Sequence, residues 1–244
     1  MTAPSPAPAA SLAVAGLVPL STVDWPGKLA AVAFLQGCPW DCGYCQNPDL
    51  RDCTTAGTVT WEDVLALLRR RRGLLDGVVF SGGEATRQRA LIPAIREVRE
   101  LGFAVGLHTA GAYPARLADL LPLVDWVGLD IKALPGDYPD VVGFGPGGDK
   151  AWESLDLTLA AGVPLEVRLT VHPDSPQERH AIEIARRVKD AGATAFALQK
   201  ARTEGTRPEF VAAATQWDQV AWTERFAHVA AEIEALEWKT FEAR

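Results

Sequence analysis

The chain has 244 residues, 48% of them hydrophobic, with 24 basic against 31 acidic side chains and a net charge of −7. That length supports a sizeable core in one domain, and the acidic balance argues against a nucleic-acid-binding surface. Four cysteines are too few for a disulfide framework in so long a chain, and no apolar run is long enough to span a membrane, so a reducing cytoplasm is the expected setting.

Residues 1–19 are rich in Ala and Pro, with no Lys or Arg before Lys28. They read as a flexible tail without a secretory n-region, ahead of a single domain over 20–244. Strand-like and helix-like segments then alternate. The first strand is expected at 29–36, apolar throughout, as a strand buried on both faces is. Further strands are expected at 77–81, 103–109, 126–131, 164–171 and 195–199.

The intervening helices carry their own marks. Thr60 caps a helix with Val64, Leu65, Leu67 and Leu68 inside, ending near Gly73. Leu91, Ile92, Ile95, Val98 and Leu101 keep helical spacing and stop at Gly102. Trp152, Leu155 and Leu159 mark a helix closed by Gly162. Ser175-Pro176-Gln177-Glu178 is a capping box opening a helix that runs to Gly192. The last helix carries Trp222, Phe226, Val229, Ile233 and Leu236. Six strand–helix units in series imply an α/β fold, an incomplete (β/α)6 barrel of parallel strands, with a doubly wound sheet as the competitor.

In either architecture the working face lies at the carboxyl ends of the strands. The densest chemistry falls there, in Gly37-Cys38-Pro39-Trp40-Asp41-Cys42-Gly43-Tyr44-Cys45 after the first strand. C-x3-C-x2-C lets three thiolates grip one metal centre from one loop. A [4Fe–4S] cluster with one iron left open is the first reading. The second is structural zinc completed by a fourth ligand such as Cys53. Zinc sites usually pair two separated knuckles, and here one is stretched and the other missing; Cys53 reads as a bystander.

Ser81-Gly82-Gly83-Glu84 after the second strand offers bare backbone to an amino-acid head group, or is a plain turn. Asp130 and Lys132 at the fourth strand's end suit ribose hydroxyls or a cation, or form an ion pair that seals the barrel. Arg168, in an otherwise apolar fifth strand, needs an anion: a substrate carboxylate, Glu166 or a surface partner. Gln199 ends the sixth strand. His108 and His172 read as satisfied strand-end residues, and Arg69–Arg72 as a solvated helix end.

Together, the three cysteines after strand one and Gly82-Gly83-Glu84 after strand two resemble the radical S-adenosylmethionine (SAM) enzymes. The resemblance implies that Cys38, Cys42 and Cys45 bind a [4Fe–4S] cluster whose fourth iron takes SAM. It implies that Gly82, Gly83 and Glu84 contact the methionine part, and that Tyr44 lies near the adenine. Ser21-Thr22-Val23-Asp24-Trp25-Pro26-Gly27-Lys28, Gln46-Asn47-Pro48, His108-Thr109-Ala110-Gly111 and Leu129-Asp130-Ile131-Lys132 are similar to the glycyl-radical-enzyme activating branch. By that resemblance Thr109, Asp130, Lys132, Arg168 and Gln199 line the SAM pocket. Ala85, Gln46 and Ala110 stand where the family commonly has proline, histidine and asparagine.

The implied activity is reductive cleavage of SAM by a flavodoxin- or ferredoxin-fed cluster. The resulting 5′-deoxyadenosyl radical would take hydrogen from a backbone glycine of a partner, with anaerobic ribonucleotide reductase favoured. Alternatives are a radical SAM enzyme acting on a small molecule or peptide, and a non-enzymatic iron–sulfur or zinc module.

Overall fold

The structure, a computed structural model, describes residues 7–244; the first six residues of the expected tail lie outside the described residues. Eight strands form one sheet in sequence order: β1 (Val14–Ser21), β2 (Ala30–Leu35), β3 (Gly77–Gly82), β4 (Ala104–Thr109), β5 (Trp126–Asp130), β6 (Leu165–Val171), β7 (Ala195–Lys200) and β8 (Thr240–Ala243). β2 to β8 are parallel, and β1 runs antiparallel to β2, setting Leu17 opposite Ala33 and Val18 opposite Val32. Among the described residues β1 and β8 do not pair, so the sheet is an incomplete barrel, open along one side.

The six central strands are those expected from apolar patterning. The two edge strands are not. β1 begins at Val14, inside the stretch expected to be a tail; it carries Gly16, which weakens a strand, and Pro19, which an edge strand tolerates. β8 is four residues long and mostly exposed.

Nine helices follow among the described residues: α1 (Trp61–Arg70), α2 (Leu91–Glu100), α3 (Pro114–Leu120), α4 (Tyr138–Val142), α5 (Gly147–Ala161), α6 (Pro176–Arg179), α7 (Ala181–Asp190), α8 (Pro208–Ala214) and α9 (Gln219–Glu234). Thr60 caps α1 through a reciprocal box with Asp63. Gly162 ends α5 in the left-handed conformation, φ 68°. The helix expected from Ser175 to Gly192 is instead broken at His180, and its capping box is half formed. Ser175 accepts from the Glu178 amide, but the Glu178 carboxylate accepts from Asp174 N at 2.6 Å.

Two cores flank the sheet. Outward-facing Val78, Phe80, Val105, Leu107, Leu129 and Val167 pack under the helices. Inside the barrel a smaller cluster of Trp25, Ala30, Val32, Val79 and Trp126 fills the floor. Trp25 stacks on Trp126 at 5.7 Å between ring centroids. Glycine at 77 and 106 makes room for it, since a Cβ there would lie 2.8 and 3.0 Å from its ring. The polar mouth therefore sits on a dry base.

Candidate active site

The mouth is built where β2 and β3 end. Gly37, with φ 96°, turns the chain out of β2, and Gly82, with φ 111°, turns it out of β3. The two turns are laced together: Gly83 N donates to Leu35 O and Glu84 N to Gly37 O, each at 2.9 Å. A Cβ on Gly83 would lie 2.5 Å from the Gly37 carbonyl oxygen. The glycine pair is thus needed for the cysteine loop to approach the end of β3.

The cysteine loop is pinned from several sides. Gly37 N donates to Leu50 O at 2.7 Å and Cys38 N to Arg51 O at 3.1 Å. The buried Gln36 amide reaches the Asp49 and Asp52 carbonyls, both at 3.0 Å. Trp40 is buried edge-on against Tyr138. Asp41, between two of the cysteines, pairs with Arg51 at 2.9 Å and with Arg207 from the segment after β7. Its amide donates to Val142 O at 2.8 Å. Gly205 packs on the Gln46 backbone, where a Cβ would meet the carbonyl at 2.6 Å. Neither Asp41 nor Arg207 was singled out from the sequence. They are 166 residues apart, and no local pattern signals the pair.

Cys42 is buried, and Cys38 and Cys45 are partly so. Burial pushes the Cys38 thiol up to about 12, against the pull of its hydrogen bond to the Trp40 backbone. Burial likewise raises Cys42, with Lys132 opposing. Thiols raised in this way, as Cys38 and Cys42 are, stay protonated unless a positively charged centre takes them as thiolates. That donor set on one loop, beside the open glycine turn, fits a [4Fe–4S] cluster with SAM alongside. Among the described residues no three His, Cys, Asp or Glu side chains are gathered as a single-ion site. Cys53 is exposed, its thiol turned to the carbonyls of Arg51 at 3.5 Å and Cys38 at 3.9 Å.

The expected SAM-pocket residues divide into three groups. Lys132 joins the cysteine loop: its ammonium lies 3.1 Å from Asp130 and 5.6 Å from the ring centre of buried Tyr44. Burial pushes Asp130 up, but Lys132 and Arg168 outweigh it and hold the carboxyl below its usual range. Asp130 in turn raises Lys132 against the effect of burial. At the mouth there is therefore a fixed ion pair beside the cysteine loop.

Glu84 and Thr109 form the second group. Glu84 is only 1% exposed and its carboxylate ties the ends of β3 and β4 together. Oε1 accepts from Thr86 N at 3.1 Å, Thr86 Oγ1 at 2.6 Å and Thr109 Oγ1 at 2.7 Å; Oε2 accepts from Ala110 N at 2.9 Å. One lone-pair direction on Oε2 is left for a ligand.

Arg168 lies one layer deeper. Its Nε donates to Glu166 at 2.7 Å, so of the anions considered for it, the one in contact is the carboxylate two residues back on the same face. Its guanidinium stands over Trp126 at 5.2 Å, and its NH2 is buried without a partner. Gly128 makes room for it, since a Cβ there would lie 2.9 Å from the guanidinium carbon. His108 completes the layer: Nδ1 pairs with Ser81 Oγ at 3.1 Å, and Nε2 faces both the Asp24 carbonyl at 2.7 Å and Arg168 NH1 at 3.0 Å. Burial, then Arg168, push His108 down to about 3, so the ring is neutral. Gln199 stands apart, beside Thr170 at 3.4 Å; with its amide turned, it accepts from Arg244 on β8's side at 3.0 Å. Arg244 also reaches Glu166 at 3.2 Å.

The family model described as the Radical SAM superfamily matches residues 32–196. A protein of Methanocaldococcus jannaschii, provisionally described as a glycyl-radical enzyme activating enzyme, is 32% identical over 197 residues, covering 72% of this chain and 75% of its own. The pyruvate formate-lyase-activating enzyme of Clostridium pasteurianum is 36% identical over 160 residues, covering 63% of this chain and 66% of its own. The crystal structure of QueE from Escherichia coli superposes with a TM-score of 0.57 at 18% identity, over 96% of this chain and 94% of that one, and shows the fold alone. The chain belongs to the radical SAM superfamily.

Proposed function

We propose that this enzyme is an activase that installs a glycyl radical on a partner enzyme, and that the partner is an anaerobic ribonucleotide reductase. The observation that carries the reading is its similarity, across 197 residues, to a relative described as a glycyl-radical enzyme activating enzyme. The lead-in run Ser21–Lys28 and the single cysteine loop support it. The gap between β1 and β8 supports it too, because a glycine-bearing loop of another protein needs a way in. Membership of the superfamily removes the non-enzymatic alternative.

As a radical SAM enzyme the protein works with a [4Fe–4S] cluster and SAM, which when bound supply one-electron reductive cleavage and hydrogen-abstracting radical chemistry. This chain's own residues do the rest. Cys38, Cys42 and Cys45 hold the cluster from a loop that Asp41, Arg51 and Arg207 keep in place. Gly82 and Gly83 let the cysteine loop close onto the end of β3, and Asp130 and Lys132 fix opposite charges at the mouth. Neutral His108 is held beneath the mouth by Ser81, the Asp24 carbonyl and Arg168, which fixes the ring in place. The Trp25–Trp126 stack closes the floor and excludes water from the site where a radical would be quenched.

The test is anaerobic reconstitution with SAM and a reductant, followed by electron paramagnetic resonance of two candidate partners, an anaerobic ribonucleotide reductase and a pyruvate formate-lyase. A glycyl-radical signal on the reductase is expected. A signal on the lyase alone would reassign the partner. SAM cleavage with no signal on either would favour a small molecule or peptide as substrate.

A further inference from the structure

A band of cations borders the cysteine loop on a chain whose net charge is −7. Arg87 packs against Gly37, the residue before Cys38, and donates to the Cys53 carbonyl at 2.5 Å. Arg116 donates to the Arg87 carbonyl and lies 4.8 Å over the Tyr113 ring. Lys150 lies 6.0 Å over the same ring and 5.0 Å over Phe144. The contacts thus run unbroken from the exposed Cys53 to the exposed Phe144.

None of Arg87, Arg116 and Lys150 has a carboxylate within 4.0 Å among the described residues, whereas Arg51 and Arg207, on the other side of the loop, are both committed to Asp41. Exposed Asp52 borders the band with its carboxylate already held by Thr54 and Thr55, and exposed Asp149 marks the far edge. The band therefore presents uncompensated positive charge and aromatic faces together, the composition of a protein-docking surface rather than of a solvated one.

We propose that this band is the docking site for an acidic one-electron carrier protein that reduces the cluster. Electron transfer between proteins falls steeply with distance, so a donor must seat where the cysteine loop comes nearest the surface. The band begins one residue from Cys38. In the step itself one electron leaves the carrier and one is gained by the cluster, with no atom transferred. The assignment rests on the family's need for an electron and not on which glycyl-radical partner is used.

The test uses anaerobic holoenzyme and reduced flavodoxin, an acidic carrier, as the probe. Cluster bleaching is followed by stopped flow and complex formation by anisotropy of labelled flavodoxin, with photoreduced deazaflavin as a small neutral control. Lys150→Glu changes a side chain whose ammonium stands over two aromatic rings; Lys150→Glu with Arg116→Glu is the stronger variant. Reduction by flavodoxin is expected to slow about tenfold or more in the double variant at low salt, and flavodoxin binding to weaken in parallel. The difference is expected to shrink as salt rises past ~0.15 M, while reduction by deazaflavin stays unchanged. Flavodoxin rates and binding within about twofold of wild type would overturn the proposal. Loss of bleaching by deazaflavin as well would count against the cluster assignment instead, and the binding measurement would still decide the docking site.

Discussion

The two ends of the barrel lumen follow opposite rules. At the mouth, the cysteine thiols, Glu84 Oε2 and the Asp130–Lys132 pair have bonding capacity left over. At the floor, Trp25, Trp126, Ala30, Val32 and Val79 form an apolar plug. Between them lies the layer of Arg168, Glu166 and His108, in which charges are paired and one guanidinium nitrogen is free. The difference teaches where substitutions act on chemistry and where they act on folding.

The comparison breaks most completely at the mouth. Cys42→Ala is expected to abolish bound iron and sulfide and all 5′-deoxyadenosine formation while the circular dichroism spectrum keeps its shape; product formed by the variant would refute the ligand assignment. Trp126→Ala acts from the other end. It is expected to cost ~3–5 kcal/mol of stability, as deletion of a buried aromatic does, read as the urea midpoint of the apoprotein. The folded variant should still load a cluster, and a variant of unchanged stability would show that the floor is not a plug.

Gly83→Ala tests the seam between the two motifs. The added methyl would push on the Gly37 carbonyl, so a loss of ~1–3 kcal/mol should come with weaker SAM binding in equilibrium titration. Unaltered binding would mean that the cysteine loop and the β3 turn are not coupled.

A dependence on pH is also expected. His108 is neutral when folded, held down to about 3, and ordinary when unfolded, so between those values the unfolded chain binds the extra proton. Stability from this residue is complete above about 6.5 and is lost as pH falls towards 3, by up to ~1.4 kcal/mol per pH unit. His108→Asn should flatten the acid limb of urea midpoint against pH; an unchanged limb would place the titration elsewhere.

Much of the fold is legible in the sequence. The six central strands are buried on both faces, so they read as continuous apolar runs, and the cysteine spacing is a property of one short loop. The edge strands were not legible. β1 is interrupted by glycine and proline, and β8 is too short and polar to show a period. Arg168 was marked as needing an anion, but local sequence left Glu166 as only one of several choices. Trp25 was noted within a motif, and nothing near it in sequence indicates that it stacks on Trp126, a hundred residues on.

The sequence by itself determined the parallel strand–helix succession and the three-thiol loop, because periodicity and ligand spacing are encoded within a few residues. The tertiary structure alone decided that Glu84 bridges two strand ends, that Asp41 is shared by Arg51 and Arg207, and that three cations in a band starting at the cysteine loop have no carboxylate partner among the described residues. Those are contacts between residues far apart in the chain, and their free energy depends on which partners the closing barrel brings within reach.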